Sequence, residues 1–247
     1  MATSSDEPDP ENLTEVDEYE ALRDQDVDDE PPTYRPIGPG DVFRGVTLDH
    51  LAAPFSGAVM VVGHPCSLRR GLVLQADLPV APLVEQGVPT RRHASTDRLL
   101  PVRKLLPPGS ETHHVVDLTL ATTIPADRLD MAQRCACLSN AGIVALQQRV
   151  VGNLVRVKVP PGMITKHCRG PLTELELWKD WRAEIVDAGL DAESRDKEFD
   201  GFMRQRSGFG TLSWREAIAE HEHARGSAVT AMENLLADLL QGESSRA

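Results

Sequence analysis

Apolar positions divide this chain of 247 residues into three parts. Residues 1–36 hold too few of them to offset the entropy of ordering that stretch, so we expect a disordered tail. Residues 37–160 hold short apolar runs between glycines and prolines, a pattern typical of strands and turns. Residues 161–247 hold apolar positions three or four apart, which predicts helices. The predicted fold class is therefore α+β, with a small β-barrel domain followed by a helical extension.

Short strands with turn residues between them make up the predicted β-domain. The run 58–62 is continuously apolar and bounded by glycine, so we expect a central strand there. Pro79 and Pro82 lack a backbone N–H, which limits the strand around them to an edge of the sheet. The basic stretch 91–104 has little periodicity and is predicted as a long loop. The predicted strands are 41–46, 58–62, 72–74, 78–83 and 115–120.

Three N-capping signals predict where helices begin. Ser139 precedes a long apolar face. Thr173 and Ser213 each stand three residues before a glutamate, which is the capping-box pattern. A charge-rich helical piece is expected over 191–206, between those two helices. The last helix, predicted as one long element over 214–241, has an apolar face that either covers the barrel or docks a protein partner.

The charged residues lie in three blocks. Residues 1–36 hold 13 Asp/Glu against 2 Arg, residues 37–170 hold 9 against 15 Lys/Arg, and residues 171–247 hold 16 against 9. The net charge of −12 therefore conceals a basic middle between two acidic ends. A basic surface attracts phosphates, and an acidic tail competes for it. This pattern indicates RNA or DNA as a ligand, with a tail that either solubilises the protein or gates its binding surface.

The acidic tail carries one helical pattern of its own. Four apolar residues recur at a spacing of three, so the stretch around them is suited to fold against a partner. These residues are Leu13, Val16, Tyr19 and Leu22.

Composition limits the class of protein further. The N-terminus lacks the basic start and apolar stretch of a secretory signal, and the longest apolar run is too short to cross a bilayer. Four cysteines without a regular framework are typical of reduced thiols. We therefore expect a cytoplasmic protein without a membrane segment. An aromatic content of 4% argues against binding single strands mainly by base stacking.

Over residues 40–154 the chain resembles the toxin ribonucleases of the MazF and PemK type. The resemblance rests on the order of the elements and on a few short strings. It implies an SH3-like barrel, and for the family it implies RNA cleavage. The elements that carry it are the strand 41–46 opening at Gly40-Asp41, the strand 58–62, the strand Pro79-Val80-Ala81-Pro82-Leu83, the strand 115–120 and the helix 139–154.

Two departures from that family remove the residues of its catalysis. The family carries an Arg just before its second strand, where this chain has Ser56 and Gly57. It also carries Ser or Thr just after the strand that matches 79–82, where this chain has Leu83. Phosphodiester cleavage needs a cation and a proton-transfer group near the reacting oxygen. The resemblance therefore implies a barrel that has become a non-catalytic binding module.

The turn after strand 58–62 holds the residues best suited to catalysis. His64 is suited to transfer protons, and Cys66 to act as a nucleophile or a ligand. Arg69 and Arg70 follow and are suited to hold a phosphate. No orienting acid is visible nearby in the sequence, so a proline turn with a small thiol and solvated arginines accounts for the same residues.

More basic residues gather in the stretch 91–104. A basic loop beside a barrel groove is a natural contact for nucleic acid, although a run of charge is often only a solvated face. The predicted nucleic-acid-binding residues are Arg69, Arg70, Arg91, Arg92, Arg103 and Lys104.

The spacing of cysteine and histidine does not indicate a metal site. Structural zinc sites favour ligand pairs separated by two to four residues. Cys135 and Cys137 are closer together than that, and the pairs His113–His114 and His167–Cys168 are adjacent. We expect no metal and no cofactor, because the glycine spacings that hold nucleotide phosphates are missing as well.

Three classes of function remain. The first, which we favour, is a non-catalytic protein that binds nucleic acid or a partner through a degenerate toxin-like barrel gated by the acidic tail. The second is a divergent endoribonuclease toxin or defence effector, in which His64 and Cys66 replace the usual residues. The third is a structural subunit of a larger complex, docked through the helix 214–241. All three are compatible with an oligomer.

Overall fold

The computed structural model describes residues 31–86, 98–103, 113–155 and 160–244. Contacts divide these residues into two compact units. The second unit consists of residues 166–244 and two short segments from earlier in the chain, Tyr34–Pro36 and Arg69–Val73. The first unit consists of the other described residues up to Thr165.

The first unit is built on a seven-stranded antiparallel sheet, and the mixed α+β class is confirmed. Its strand order is β6-β7-β5-β2-β1-β9, with β8 also paired to β5. Within the described ranges no pairing joins the end strands β6 and β9. The strands of this sheet are β1 (Val42–Leu48), β2 (Phe55–Val61), β5 (Asp77–Gln86), β6 (Leu99–Arg103), β7 (His113–Asp117), β8 (Thr122–Pro125) and β9 (Arg134–Ala136), and a separate two-stranded sheet holds β3 (Arg69–Arg70) and β4 (Val73–Leu74).

β5 is a central strand, so the prediction that its prolines confine it to an edge is wrong. β2 pairs with one edge of β5, while β8 and β7 pair in turn with the other edge. Pro82 lies between the stretch Asp77–Val80 that pairs with β8 and the stretch Leu83–Gln86 that pairs with β7. Pro79 lies level with the end of β2, where its carbonyl accepts from the Val62 N–H at 2.9 Å. Pro82 thus occupies a break between two ladders, where a missing donor costs little, whereas Pro79 lies within the pairing with β8.

The core cluster of the first unit takes its side chains mainly from β1, β2 and β5. The intervening residues Met60 and Ala81 are also fully buried, so both faces of the sheet are covered where β2 pairs with β5. The predicted strands 41–46 and 58–62 are confirmed. The apolar side chains of this cluster are Ile37, Phe43, Val46, Leu48, Val59, Val61, Leu68, Leu78, Val80, Ile124 and Leu129.

The helix α2 (Asn140–Val155) follows β9 and was predicted with its cap, after the short helix α1 (Pro65–Leu68) earlier in the chain. Ser139 Oγ accepts from the Gly142 N–H at 3.1 Å, which satisfies an otherwise unpaired donor of the first turn. A second bond, from Arg149 Nη1 to the Leu99 carbonyl at 3.2 Å, ties the helix to β6.

Two predictions between residues 98 and 120 need correction. Residues 99–103 form β6, not the loop expected over 91–104, because pairing with β7 organises them despite their weak periodicity. The strand expected over 115–120 ends at Asp117, and Leu118–Leu120 forms a 3-10 turn. Asp117 terminates the strand because its carboxylate accepts from the Thr119 N–H and hydroxyl.

A buried ion pair ties the start of β1 to β9. Arg134 and Asp41 are fully buried side chains, with Nη1 and Oδ2 3.0 Å apart. Asp41 Oδ2 also accepts from the Gly38 N–H at 3.0 Å, and Arg134 Nη2 donates to the Pro32 carbonyl. These bonds hold Pro32 and Gly38 to the buried pair. The predicted disorder of residues 1–30 falls outside the described residues.

The second unit is helical and packs around aromatic side chains. All three tryptophans are buried in it, as the sequence predicts. Its helices are α3 (Pro161–Asp187), α4 (Asp196–Arg204), α5 (Trp214–Glu220) and α6 (Ala224–Ser244). Its core contains Leu177, Trp178, Trp181, Ile185, Phe199, Phe202, Met203, Trp214, Ile218, Met232 and Leu236.

The helix α3 begins twelve residues before the capping box predicted at Thr173. Pro161 is the first residue of this helix, a position where the absent N–H costs nothing. Pro171 lies inside α3, and the helix continues through Gly170 and Pro171 without a break. Tertiary packing explains this, because Gly170 faces Ala219 of α5 so closely that a Cβ would lie 2.8 Å from the alanine Cβ.

The long helix predicted over 214–241 is two helices. Ser213 forms the predicted capping box with Glu216, but α5 ends at Glu220 and α6 begins at Ala224. On the face expected to cover the barrel or bind a partner, Met232 and Leu236 pack into the helical core and are 3% and 4% exposed. Docking of a partner through 214–241 stays a prediction. None of the helices in the described ranges combines the length and apolar character that crossing a membrane requires.

Candidate nucleic-acid interface

The turn after β2 presents His64 and Cys66. The backbone N–H of Cys66 donates to His64 Nδ1 at 3.2 Å, and Ser67 Oγ donates to the His64 carbonyl at 2.8 Å. His64 is half-buried, whereas Cys66 is exposed. The imidazole is thus oriented by the backbone of its own turn.

A buried amide from α2 supports this turn. Gln147 is 1% exposed, and its Nε2 donates to the carbonyls of Val62 and Gly63 at 3.4 and 3.2 Å. In an antiparallel hydrogen-bonded pair the Val62 carbonyl would receive the N–H of residue 79, which proline lacks. Gln147 therefore supplies the donor that Pro79 cannot. A Cβ on Gly63 would collide with Leu68 and lie 2.7 Å from Pro79 Cγ, so the turn requires glycine there.

Arg69 takes part in the packing of the helical unit. Its guanidinium lies 4.7 Å from the centroid of the Trp178 ring, and its Nη1 donates to the Leu72 carbonyl at 3.1 Å. Arg182 lies over the same ring at 4.8 Å. Such cation–π contacts give Arg69 a structural role. Arg70 is exposed, so of the two predicted phosphate ligands it is the one with an exposed side chain.

The pairing of β5, β7 and β6 brings the other basic segments to one end of the sheet. Gln86 pairs with His113 on one side of β7, and Arg103 pairs with His113 on the other side. Lys104 follows Arg103 in the chain, and the basic segment 87–98 follows Gln86. We call the row formed by Gln86, His113 and Arg103 the ladder end.

Two connections adjoin the ladder end in sequence. β5 and β6 are both antiparallel to β7, so they run parallel to each other. The connection 87–98 follows Gln86, and the connection 103–112 leads from Arg103 to His113. Together they hold five Lys/Arg against two Asp/Glu. The predicted ligands Arg91, Arg92 and Lys104, and the side chain of Arg103, lie outside the described residues.

Two adjacent histidines open β7 at the ladder end. His113 is 8% exposed, and Nδ1 of both His113 and His114 is buried without a hydrogen-bond partner among the described residues. Burial lowers the pKa of His114 below its usual 6.5, and the Glu85 carboxylate opposes this shift by less. His114 is therefore neutral at pH 7, and its Nδ1 has no partner among the residues that the structure describes.

The turn and the ladder end lie apart along β5. Val62, just before the turn, bonds to Pro79, while His113 pairs with Gln86 at the other end of the strand. Seven positions separate Pro79 from Gln86, a path of about 23 Å along the strand. His64 thus follows the end of β5 that begins near Pro79, whereas the ladder end lies at Gln86.

The thiols and histidines differ in accessibility, and no metal cluster is formed by the described residues. Cys66 is the exposed thiol, whereas Cys135, Cys137 and Cys168 are buried. Burial raises the pKa of Cys135 to about 11, although the nearby Arg44 acts to lower it. This thiol is therefore protonated at neutral pH. Across the described ranges no three His, Cys, Asp or Glu side chains are grouped so as to hold a metal ion.

Three functional features of the structure were missed from sequence. Gln147 was read only as a helix residue, although a proline in a paired strand demands a substitute donor. His113 and His114 were considered only as metal ligands, since their row with Arg103 depends on the pairing register. Arg134 was counted with the basic surface, and its burial against Asp41 has no local sequence signal.

No protein-family model matches the chain, and a search of curated proteins found no similar sequence. The resemblance to toxin ribonucleases of the MazF and PemK type therefore stays a prediction.

Proposed function

We propose that this protein binds nucleic acid without cleaving it, through the ladder end of the β5-β7-β6 sheet. The proposal is supported by the register that pairs His113 with Arg103 and with Gln86, the residues next to the two basic segments of the sequence. Lys and Arg contacts to phosphates supply most of the affinity of sequence-independent binding.

An SH3-like barrel of the MazF type is part of this proposal. Its support is the antiparallel sheet of short strands arranged around the long strand β5, which pairs with β2, β8 and β7. Support for binding without cleavage comes from Ser56 and Leu83, which stand where the family carries catalytic residues. His64 and Cys66 lie a strand length away from the ladder end.

Binding of the full chain to labelled single-stranded RNA and DNA at 50 and 200 mM salt tests the proposal. With three or four phosphates contacted, affinity is expected to fall about 20- to 50-fold between the two salt concentrations. The probe should be intact after prolonged incubation. Cleavage of the probe would favour a divergent ribonuclease, and absence of binding at 50 mM salt would overturn the proposal.

A further inference from the structure

Two histidines come together at the break between α5 and α6. The Ala224 N–H donates to the His221 carbonyl at 3.1 Å, which closes a turn around Glu222 and His223. The ring centroids of His221 and His223 lie 5.9 Å apart, with an angle of 42° between the two planes. His221 is half-buried and His223 is exposed, and both belong to the second unit. We call His221 and His223 the histidine pair.

The ring of Phe209 supports both imidazoles. Its centroid lies 5.4 Å from that of His221, with the rings stacked, and 5.5 Å from that of His223. The Phe209 N–H donates to Ser207 Oγ at 3.1 Å, and its ring packs edge-on against Trp214 at 6.5 Å. Phe209 is thus held by its own loop and by the helical core. A fixed ring beside the histidine pair limits the motion of both imidazoles, which reduces the entropy lost when they bind a ligand.

The separation of the two imidazoles is close to what a shared metal ion requires. Neutral imidazole is a good ligand for Zn²⁺, Cu²⁺ and Ni²⁺. The metal–nitrogen bond is about 2.0–2.1 Å long, so the ion lies about 3.2 Å from the centroid of a ring that binds it. Two imidazoles that bind one ion at a tetrahedral angle therefore have centroids about 5.2 Å apart. The histidine pair is wider than this by less than about 1 Å, a difference that rotation of the exposed His223 closes.

The charges next to the histidine pair favour a cation. Glu220 and Glu222 flank His221 in the chain, and both are exposed. The side chain of Glu222 is 83% exposed and lies 3.8 Å from Arg169, so this base neutralises it only in part. In the described part of the chain no third ligand is grouped with the two rings. Water would therefore complete the coordination, as in an open metal site and unlike a closed structural one.

We propose that the histidine pair binds one divalent transition-metal ion. Two imidazole ligands select Ni²⁺, Cu²⁺ or Zn²⁺ over Mg²⁺ and Ca²⁺, which prefer oxygen ligands. The bound ion would connect the residue that ends α5 to the turn that begins α6, and it would stabilise the folded chain because the unfolded chain lacks the preformed pair. This site shares no residue with the ladder end and goes beyond the proposed nucleic-acid binding.

Titration calorimetry of the full chain with NiCl₂ tests the site. His221→Gln and His223→Gln should each weaken the binding of Ni²⁺ at least about tenfold, because a single imidazole lacks the second, intramolecular contact. His167→Gln removes an exposed histidine elsewhere in the second unit and is the matched control. Its affinity should stay within about twofold of the wild-type value. Ni²⁺ is preferred to Cu²⁺ because it does not oxidise the exposed thiol of Cys66.

Thermal unfolding provides a second readout and the folding control. Ni²⁺ should raise the Tm of the wild-type chain and of His167→Gln, but not that of either pair variant. Without metal, His223→Gln should unfold at the wild-type temperature, because its side chain is exposed.

Three outcomes would overturn the proposal. The first is a wild-type chain that does not bind millimolar Ni²⁺. The second is a loss of affinity in His167→Gln as large as that in the pair variants, which would assign the ion to scattered single histidines. The third is a loss in only one of the two pair variants, which would mean that the two rings do not share an ion.

Discussion

At the scale of single residues, basic side chains counted as surface by composition are engaged inside the protein. Arg134 is fully buried against Asp41, Arg149 donates to a backbone carbonyl, and Arg69 lies over an indole ring. The net positive charge of residues 37–170 therefore overstates the charge offered to a ligand. In the proposed function, the contacts to phosphate come from the remaining cations, and from those next to the ladder end in particular.

The Asp41–Arg134 pair should be the most costly ion pair to break. Asp41→Ala leaves a buried guanidinium without its carboxylate and should lower the free energy of unfolding by about 3–5 kcal/mol. Arg204→Ala removes a cation that is 69% exposed and should cost less than about 1 kcal/mol. Urea unfolding of the two variants measures both values. Equal costs would contradict a structural role for the buried pair.

Stability should fall on acidification because of His114. Burial lowers its pKa in the folded chain, while the unfolded chain keeps the ordinary 6.5. The unfolded chain therefore binds the proton more readily, and the free energy of unfolding decreases as pH falls from 7.5 through 6.5. Glu85 and His113 are the charged groups that act on this ring.

The variant His114→Gln should flatten that dependence between pH 7.5 and 5.5. His167→Gln, at an exposed position on α3, is the control and should leave the slope unchanged. Urea unfolding at three pH values gives the slopes. An unchanged slope in His114→Gln would show that other groups cause the pH dependence.

At the scale of elements, the contact of α2 with the end of β2 depends on one side-chain amide, that of Gln147. Gln147→Met should leave the Val62 and Gly63 carbonyls without their donor and cost about 1–3 kcal/mol. Pro79→Ala restores a backbone N–H toward Val62. If Gln147 substitutes for that N–H, the loss caused by Gln147→Met should be smaller in the Pro79→Ala background. A strictly additive double-mutant cycle would refute this link.

The crossing of α3 and α5 depends on the absence of a side chain at Gly170. Gly170→Ala should destabilise the protein by about 1–3 kcal/mol, because its Cβ would lie 2.8 Å from the Ala219 Cβ. Gly201→Ala on α4 meets nothing within 4 Å and should stabilise by about 0.5–1 kcal/mol. Thermal unfolding distinguishes the two directions. Stabilisation by both substitutions would mean that the crossing tolerates a methyl group.

Local signals predicted the elements that local bonds define. The caps at Ser139 and Ser213 were predicted because the bonding residues stand three positions apart in sequence. The central position of β5 was missed because the prolines are compensated by Gln147 and by the strand order. The start of α3 was missed because tertiary packing carries the helix through Gly170 and Pro171. Contacts between residues far apart in the chain produce no periodic pattern in the sequence.

At the scale of the whole molecule, the division into units does not follow chain order. Tyr34 belongs with the helical unit because Arg182 Nη1 donates to its carbonyl at 2.8 Å. The segment Arg69–Val73 belongs there because Arg69 lies over Trp178. A β-rich part followed by a helical part was predictable from periodicity. The sequence did not predict that Tyr34–Pro36 and Arg69–Val73 belong to the helical unit, because each assignment depends on a pair of residues far apart in sequence.

The candidate interface was predictable only in part. Charge segregation indicated the basic segments, but only the register reveals that Arg103 and His113 share a row at which both connections start. His64 is not part of this row. The sequence had favoured a site that combines His64 with Arg69 and Arg70, because these residues lie close together in the chain. The proposed nucleic-acid binding therefore rests on the ladder end.

The most direct test of that claim is nucleic-acid binding by two matched double variants of the full chain at 50 mM salt. Arg103→Glu with Lys104→Glu reverses charge at the ladder end, and Arg44→Glu with Arg128→Glu makes the same charge change at exposed positions elsewhere in the first unit. The ladder-end variant should bind at least about tenfold more weakly, with the control within about twofold of wild type. Equal losses in the two variants would contradict a binding site at the ladder end.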